Sequence, residues 1–156
     1  MHVSRLLLAA AAVALIVGPA EAAKNTAVIG MTLEPPHLDP TAGAAAAIDE
    51  VVYANVFESL TRIDETGQVL PGLATAWQVS GDGLTYVFTL RTGVMFHDGT
   101  DFDSADVKFS LDRARSEDST NAQKGYFAAI AAVETPSPTE AVVRLTRPDG
   151  LFLFNM

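Results

Sequence analysis

The stretch "LRTGVMFHDGTDFDSADVKFS", Leu90 to Ser110, sets His97 among Asp98, Asp101, Asp103 and Asp106. Such residues can ligate a metal, move protons or shape a turn, and each task demands its own spacing. An EF-hand loop needs oxygen ligands at positions 1, 3 and 5, Gly at 6 and Glu at 12. Counted from Asp98, positions 6 and 12 are Asp103 and Phe109; counted from Asp101, they are Asp106 and Asp112. Neither register fits. A zinc site draws on several His or Cys side chains. Beyond residue 22 the histidines are His37 and His97, and the chain has no cysteine. Proton transfer fares no better. His97 and Asp98 are adjacent, and neighbours on an extended segment point to opposite faces. No Gly-x-Ser-x-Gly elbow offers a nucleophile. The residues therefore predict no catalytic group, no metal and no cofactor.

A turn followed by a capped helix accounts for the cluster better. Asp98-Gly99 supplies the permissive backbone of a turn. Asp103 can cap a helix, with Asp106 as the reciprocal partner of a capping box. Val107, Ser110, Leu111 and Ala114 follow at helical spacing. Acids in the first turn also suit the positive end of the helix dipole.

The flanking elements position this unit. Ahead of it, Trp77 and Val79 alternate into the turn "SGDG", and Leu84, Tyr86, Phe88 and Leu90 line one face of the returning strand. Such a sheet packs one face and wets the other. Behind it, "AAIAAVE" and "EAVVRLT" flank "TPSPT", whose prolines are expected to stop either strand from running on. Earlier in the chain, the alternation in "TAVIGMTL" predicts a strand over Ala27 to Leu33. "EPPHLDP" is an extended loop, because proline excludes helix there. Ile48, Val51, Val52, Val56 and Leu60 predict an amphipathic helix, widened by Tyr53 and Phe57 and ended by "DETGQVLPG".

The chain opens on "MHVSRLLLAAAAVALIVGPAEAA": Arg5, a 12-residue apolar run from Leu6 to Val17, then Ala20-Glu21-Ala22. That is the layout of a cleavable secretory signal over residues 1–22. A spanning helix needs about 20 apolar residues, so an uncleaved anchor is the lesser alternative. Without cysteine there is neither a disulfide nor the thioether anchor of a lipoprotein. The expected location is the periplasm. The net charge of −9 argues against nucleic acid as a partner, since phosphate binding needs clustered Lys and Arg. Nothing after "LFLF" caps or closes a domain, so the last domain is expected to be incomplete.

"LATAWQVSGDGLTYVFTLRTGVMFHDGTDFDSADVKFSLDRA" resembles the signature region of the peptide/nickel-type solute-binding proteins of ABC importers, extracellular solute-binding protein family 5. The matching positions are Leu73, Ala74, Trp77, Gly83 to Tyr86, Leu90 to Gly99, and Ala105 to Ser110. "PHLDP" and "VFESLTR" are similar too. Asp101 stands where the family commonly has Pro, and Asp103 where it has Thr, Ser or Asn; both keep turn and cap chemistry.

The resemblance implies an α/β chain with the two-lobe fold of periplasmic binding proteins, class II type, only its N-terminal portion being present. Residues 23–45 would be the first strand and loop of lobe one, and 46–156 an accessory α+β domain. The implied function is to bind a peptide or related small solute and deliver it, as a monomer, to an ABC permease in the inner membrane. In relatives the segment after Leu-Asp-Pro borders the ligand, here Gly43, Ala44, Ala45 and Ala46. An aromatic after the capped helix does so in some, and Tyr126 is the nearest match. Competing readings make the Ala run a helix start and Tyr126 local packing. The rival functions are a truncated fragment without activity and a secreted hydrolase or metal protein built on His97. Peptide, nickel, opine and sugar remain open, because the family's main specificity residues lie in the absent lobes.

Overall fold

The computed structural model describes residues 26–43, 45–53 and 55–156. The chain divides into two units, Met1–Thr32 and Leu33–Met156. Residues 1–22, the expected signal, lie outside the described residues. In the first unit, residues 26–32 are exposed and irregular, with Val28 fully exposed. The strand expected from Ala27 to Leu33 is not formed. Alternation makes a strand only when a neighbour takes up its N–H and C=O groups, and no described strand pairs with this one.

In the second unit the elements are α1 (Ala46–Val52), β1 (Thr61–Ile63), β2 (Val69–Pro71), β3 (Ala74–Val79), β4 (Thr85–Leu90) and α2 (Ser104–Arg115). A 3-10 turn (Lys124–Phe127), β5 (Ile130–Ser137), β6 (Glu140–Leu145) and a last 3-10 turn (Phe152–Asn155) follow. β3 to β6 form one antiparallel sheet in the order β3-β4-β6-β5. The two expected hairpins are both present and lie side by side, because β4 pairs with β6.

Alternation decides which face is packed. Tyr86, Phe88 and Leu90 of β4 and Ala141, Val143 and Leu145 of β6 are buried. Val107 and Leu111 of α2 join them in one core, with Phe152 of the last turn and Met156 after it. The rings of Tyr86 and Phe152 sit 4.5 Å apart, in tilted contact. Phe88 and Phe152 are wholly buried, and each contributes about 1.5–3 kcal/mol on that account.

Three expectations are corrected. Pro136 does not stop its strand, since β5 runs on to Ser137. β5 is an edge strand with a register shift between Glu134 and Ser137, where a missing N–H is tolerated. The helix expected as far as Leu60 ends at Val52. Tyr53 turns extended, with φ −70° and ψ 131°, and Val56 and Phe57 are left exposed. The backbone of Leu60 is claimed elsewhere, its N–H donating to the Met156 carbonyl at 2.8 Å. Tertiary partners outrank helical spacing here. Finally, "DETGQVLPG" does not merely break a helix but carries the turn of the β1–β2 ribbon. The Asp64 carboxylate accepts from Thr66 N, Thr66 Oγ1 and Gln68 N at 2.8, 2.7 and 2.9 Å. Gly67 takes φ 81°. At Gly72 a Cβ would meet the Ser59 carbonyl oxygen at 2.5 Å, so only glycine fits.

Candidate functional site

The acid cluster resolves into two local structures. In the first, Phe96 N–H donates to the Thr100 carbonyl and Gly99 N–H to the Phe96 carbonyl, at 2.8 and 2.9 Å. Asp98 Oδ1 accepts from Thr100 N and Thr100 Oγ1 at 2.9 and 2.7 Å. Gly99 sits at φ 87°, the left-handed region that glycine enters freely. The hydrogen bonds from the Thr100 backbone and hydroxyl hold the Asp98 carboxyl below its usual range; His97 is the last of the influences on it.

In the second, Asp103 Oδ1 accepts from Ala105 N at 2.7 Å, and Asp103 N–H donates to Asp106 Oδ2 at 2.8 Å. This is the expected capping box. Buried Ser104 completes the helix start. Its Oγ donates to the Ser137 carbonyl at 2.7 Å, and its N–H to the Pro138 carbonyl at 2.9 Å. α2 is thereby pinned to the β5–β6 turn. Of the expected inner positions Val107, Leu111 and Ala114 are buried, whereas Ser110 is exposed. Farther along, Asp112 bonds Lys108 at 2.6 Å and Arg115 at 2.7 Å. Burial raises the Asp112 carboxyl, and these cations more than offset it, leaving it lowered. The acids of Asp98, Asp103 and Asp106 thus serve turn and cap.

The expected ligand-side residues lie elsewhere. Gly43 is half-buried beneath His37, whose Nε2 would be 3.1 Å from a Cβ there. Ala44 lies outside the described residues. Ala45 is the N-cap of α1 and makes no side-chain cap; exposed Ala46 opens the helix. The Ala run is therefore a helix start, whatever else it does. Tyr126 sits in the 3-10 turn after α2, 54% exposed.

Open hollows on the described surface include two beside α2. One, of about 420 Å³, lies over the outer face of α2 and is lined by Ala105, Lys108, Phe109, Asp112 and Arg113. The other, of about 170 Å³, is polar, between Thr41, Arg113 and residues of the 116–120 loop. Gly43, Ala45, Ala46 and Tyr126 line neither.

Sequence reasoning missed Arg113. Its Nη2 donates to Asp39 Oδ2 at 2.8 Å, across 74 positions of sequence. Asp39 Oδ1 meanwhile accepts from Thr41 N at 2.8 Å and Thr41 Oγ1 at 2.7 Å. The Arg113 bond, then those from Thr41, lower the Asp39 carboxyl to about 2. Asp-Pro-Thr announces the local turn, but nothing in the sequence pairs Asp39 with Arg113.

Residues 68–156 match the family model of bacterial extracellular solute-binding proteins, family 5 middle. The chain belongs to this family. A glutathione-binding protein, GsiB, of Salmonella paratyphi A (strain ATCC 9150 / SARB42) is 37% identical over 136 residues, which are 86% of this chain and 26% of that protein. NikZ of Campylobacter jejuni, solved in complex with Ni(L-His), is 33% identical with a TM-score of 0.70, over 78% of this chain and 24% of that one. The oligopeptide-binding protein AppA of Bacillus subtilis, solved with a nonapeptide, is 28% identical with a TM-score of 0.71, over 78% and 24%. The chain thus spans about a quarter of the length of each. Its mixed α/β fold corresponds to part of the two-lobe periplasmic binding-protein fold. Members of the family are solute-binding proteins rather than enzymes, exported and periplasmic.

Proposed function

We propose that this chain forms part of the solute-binding component of an ABC importer, which takes a short peptide or peptide-like solute and hands it to a permease in the inner membrane. Residues 1–22 direct export and are cleaved, and the protein works in the periplasm as a monomer. It makes and breaks no covalent bond. The Gly43–Ala46 segment, and Tyr126 more remotely, border the solute.

The observation that carries this reading is the family match over 68–156, which contains the whole turn-and-cap unit. The local geometry agrees, because the acids that could have suggested an enzyme are committed to Thr100, Ala105 and the Asp103 backbone. Glutathione, named in the relative, and the nonapeptide of AppA favour a peptide class. Nickel held by histidine in NikZ is the competing cargo. A site that buries most of its ligand needs walls on several sides, and domain closure supplies them in proteins of this kind.

Titration calorimetry tests the reading on the protein expressed from the complete reading frame. Glutathione, a tripeptide panel and Ni(L-His) are the probes. Saturable micromolar binding of glutathione or a peptide supports the proposal. Binding of Ni(L-His) alone corrects the cargo, and no heat with any probe overturns it. Mass spectrometry of the exported protein should find its N-terminus at Ala23 or Lys24.

A further inference from the structure

We propose that Asp39 and Arg113 form a clasp that sets the position of the Gly43–Ala46 segment, making Arg113 a positioning residue for the solute site. This rests on the solute-binding reading above.

The two oxygens of Asp39 do different jobs. Oδ1 shapes its own turn through Thr41, and the Asp39 carbonyl closes that turn by accepting from Ala42 N at 3.2 Å. Oδ2 leaves the turn to meet Arg113. Pro40 fixes φ between these two contacts. The shape passes onward to Gly43 through His37. Asp39 N–H donates to His37 Nδ1 at 3.3 Å, and the far side of that ring covers Gly43. Two residues later the chain enters α1, whose N-cap, Ala45, has no side chain to fix its own entry. The turn before it, together with the burial of Ile48 and Val52, is left to direct that entry.

The other half of the clasp is firmly based. Arg113 stands in the last turn of α2, where the helix dipole favours a cation. α2 is capped at one end, bonded to Ser137 and Pro138, and seated on the sheet by Val107 and Leu111. Among the hydrogen bonds of the described residues, Asp39–Arg113 is the one that joins residues 33–57 to the rest of the unit. The buried residues of α1 are likewise outside the core cluster around the sheet. One polar contact thus ties the proposed ligand-side segment to the sheet domain, beside the packing that buries Ile48 and Val52. Its side chains are 51% and 39% exposed, so the clasp is weak and salt-labile.

Two variants isolate it in the protein expressed from the complete reading frame. Asp39→Asn keeps an oxygen for Thr41 and removes the charge; Arg113→Gln removes the cation alone. In low salt, amide exchange at Thr41, Ala42 and Ile48 should quicken about 2- to 5-fold in either variant, the range of an exposed ion pair. The double variant should go no further, 0.5 M salt should bring the parent to the same level, and Leu111 should not change. Glutathione affinity should fall by a similar factor in each single variant and no more in the double. Unchanged exchange, or losses that add in the double variant, overturns the clasp. Faster exchange with unchanged glutathione affinity refutes the positioning role. If the parent binds Ni(L-His) alone, its affinity replaces that of glutathione in the same comparison; if it binds none of the probes, the solute reading falls and the positioning role with it, while exchange still decides whether the clasp exists.

Discussion

The two α-helices among the described residues began with opposite credentials. α1 grows from an alanine-rich run, the best helix former available. α2 follows its Asp103 cap with Ser-Ala-Asp-Val, where Ser104 and Asp106 are of types that compete with helix when placed inside one. Yet α2 runs for 12 residues and α1 for 7. α2 has a reciprocal cap at its start, Arg113 and Arg115 in its last turn, and a seat on the sheet through Val107 and Leu111. α1 has no side-chain cap, no basic residue in its last turn, and buried residues outside the core cluster. An isolated helix this short is marginal in water, and packing and capping decide its fate. The difference teaches that propensity proposes and context disposes. It also places the proposed solute-side segment, Gly43–Ala46, at the entry to the less secured of the two helices.

The largest loss is expected at the core. Leu111→Ala removes a buried side chain by which α2 meets the sheet, and should cost about 2–5 kcal/mol in denaturant unfolding. A loss below about 1 kcal/mol would mean that α2 is not seated as described. Next comes the cap. Asp103→Ala should cost about 1 kcal/mol, while His97→Ala, on the exposed turn before it, should stay within about 0.5 kcal/mol. Equal losses from both would mean that the His97 turn secures the fold as much as the cap does.

Ala45→Ser sharpens the contrast from the other side. Ala45 already has the extended backbone of an N-cap, φ −74° and ψ 118°. A hydroxyl there should secure α1 by about 0.5–1 kcal/mol, read as slower amide exchange across Ala46–Val52. No change would show that α1 is short for reasons other than its missing cap.

The smallest effect is the pH dependence of the clasp. Asp39 is held at about 2, against a usual 3.8, first by Arg113 and then by Thr41. A carboxyl lowered on folding stabilises the folded form above its unfolded value and loses that stabilisation as pH falls through its folded value. The tie should therefore be whole above about pH 4 and fade toward pH 2. Asp64, Asp82, Asp98, Asp112 and Glu134 are lowered too, so global unfolding would mix their contributions. The Thr41 amide resonance, followed by NMR between pH 5 and pH 2, isolates Asp39 and its partners His37, Thr41 and Arg113. A titration midpoint near 4 would dissolve the clasp.

The sequence by itself determined the local structures. Asp98-Gly99-Thr100 makes its turn with atoms two residues apart, and the Asp103–Asp106 box closes within one helical turn. The two hairpins were legible for the same reason, since each closes on a short turn and period-two alternation fixes the packed face of β4; β6 buries Val142 on its other face as well. The family signature spans the same stretch and carried the functional reading with it. Tertiary structure decided the rest, because each remaining outcome depends on a partner far away in the chain. The alternation of residues 27–33 found no strand to pair with among the described residues. Leu60 left its helical stripe for the carbonyl of Met156, and Pro136 stayed in a strand because that strand lies at an edge. Arg113 met Asp39 only when the folded sheet domain brought the end of α2 to the Asp-Pro-Thr turn. A turn or a cap is complete within a few residues, whereas pairing, edges and clasps exist only once the chain has been brought back on itself.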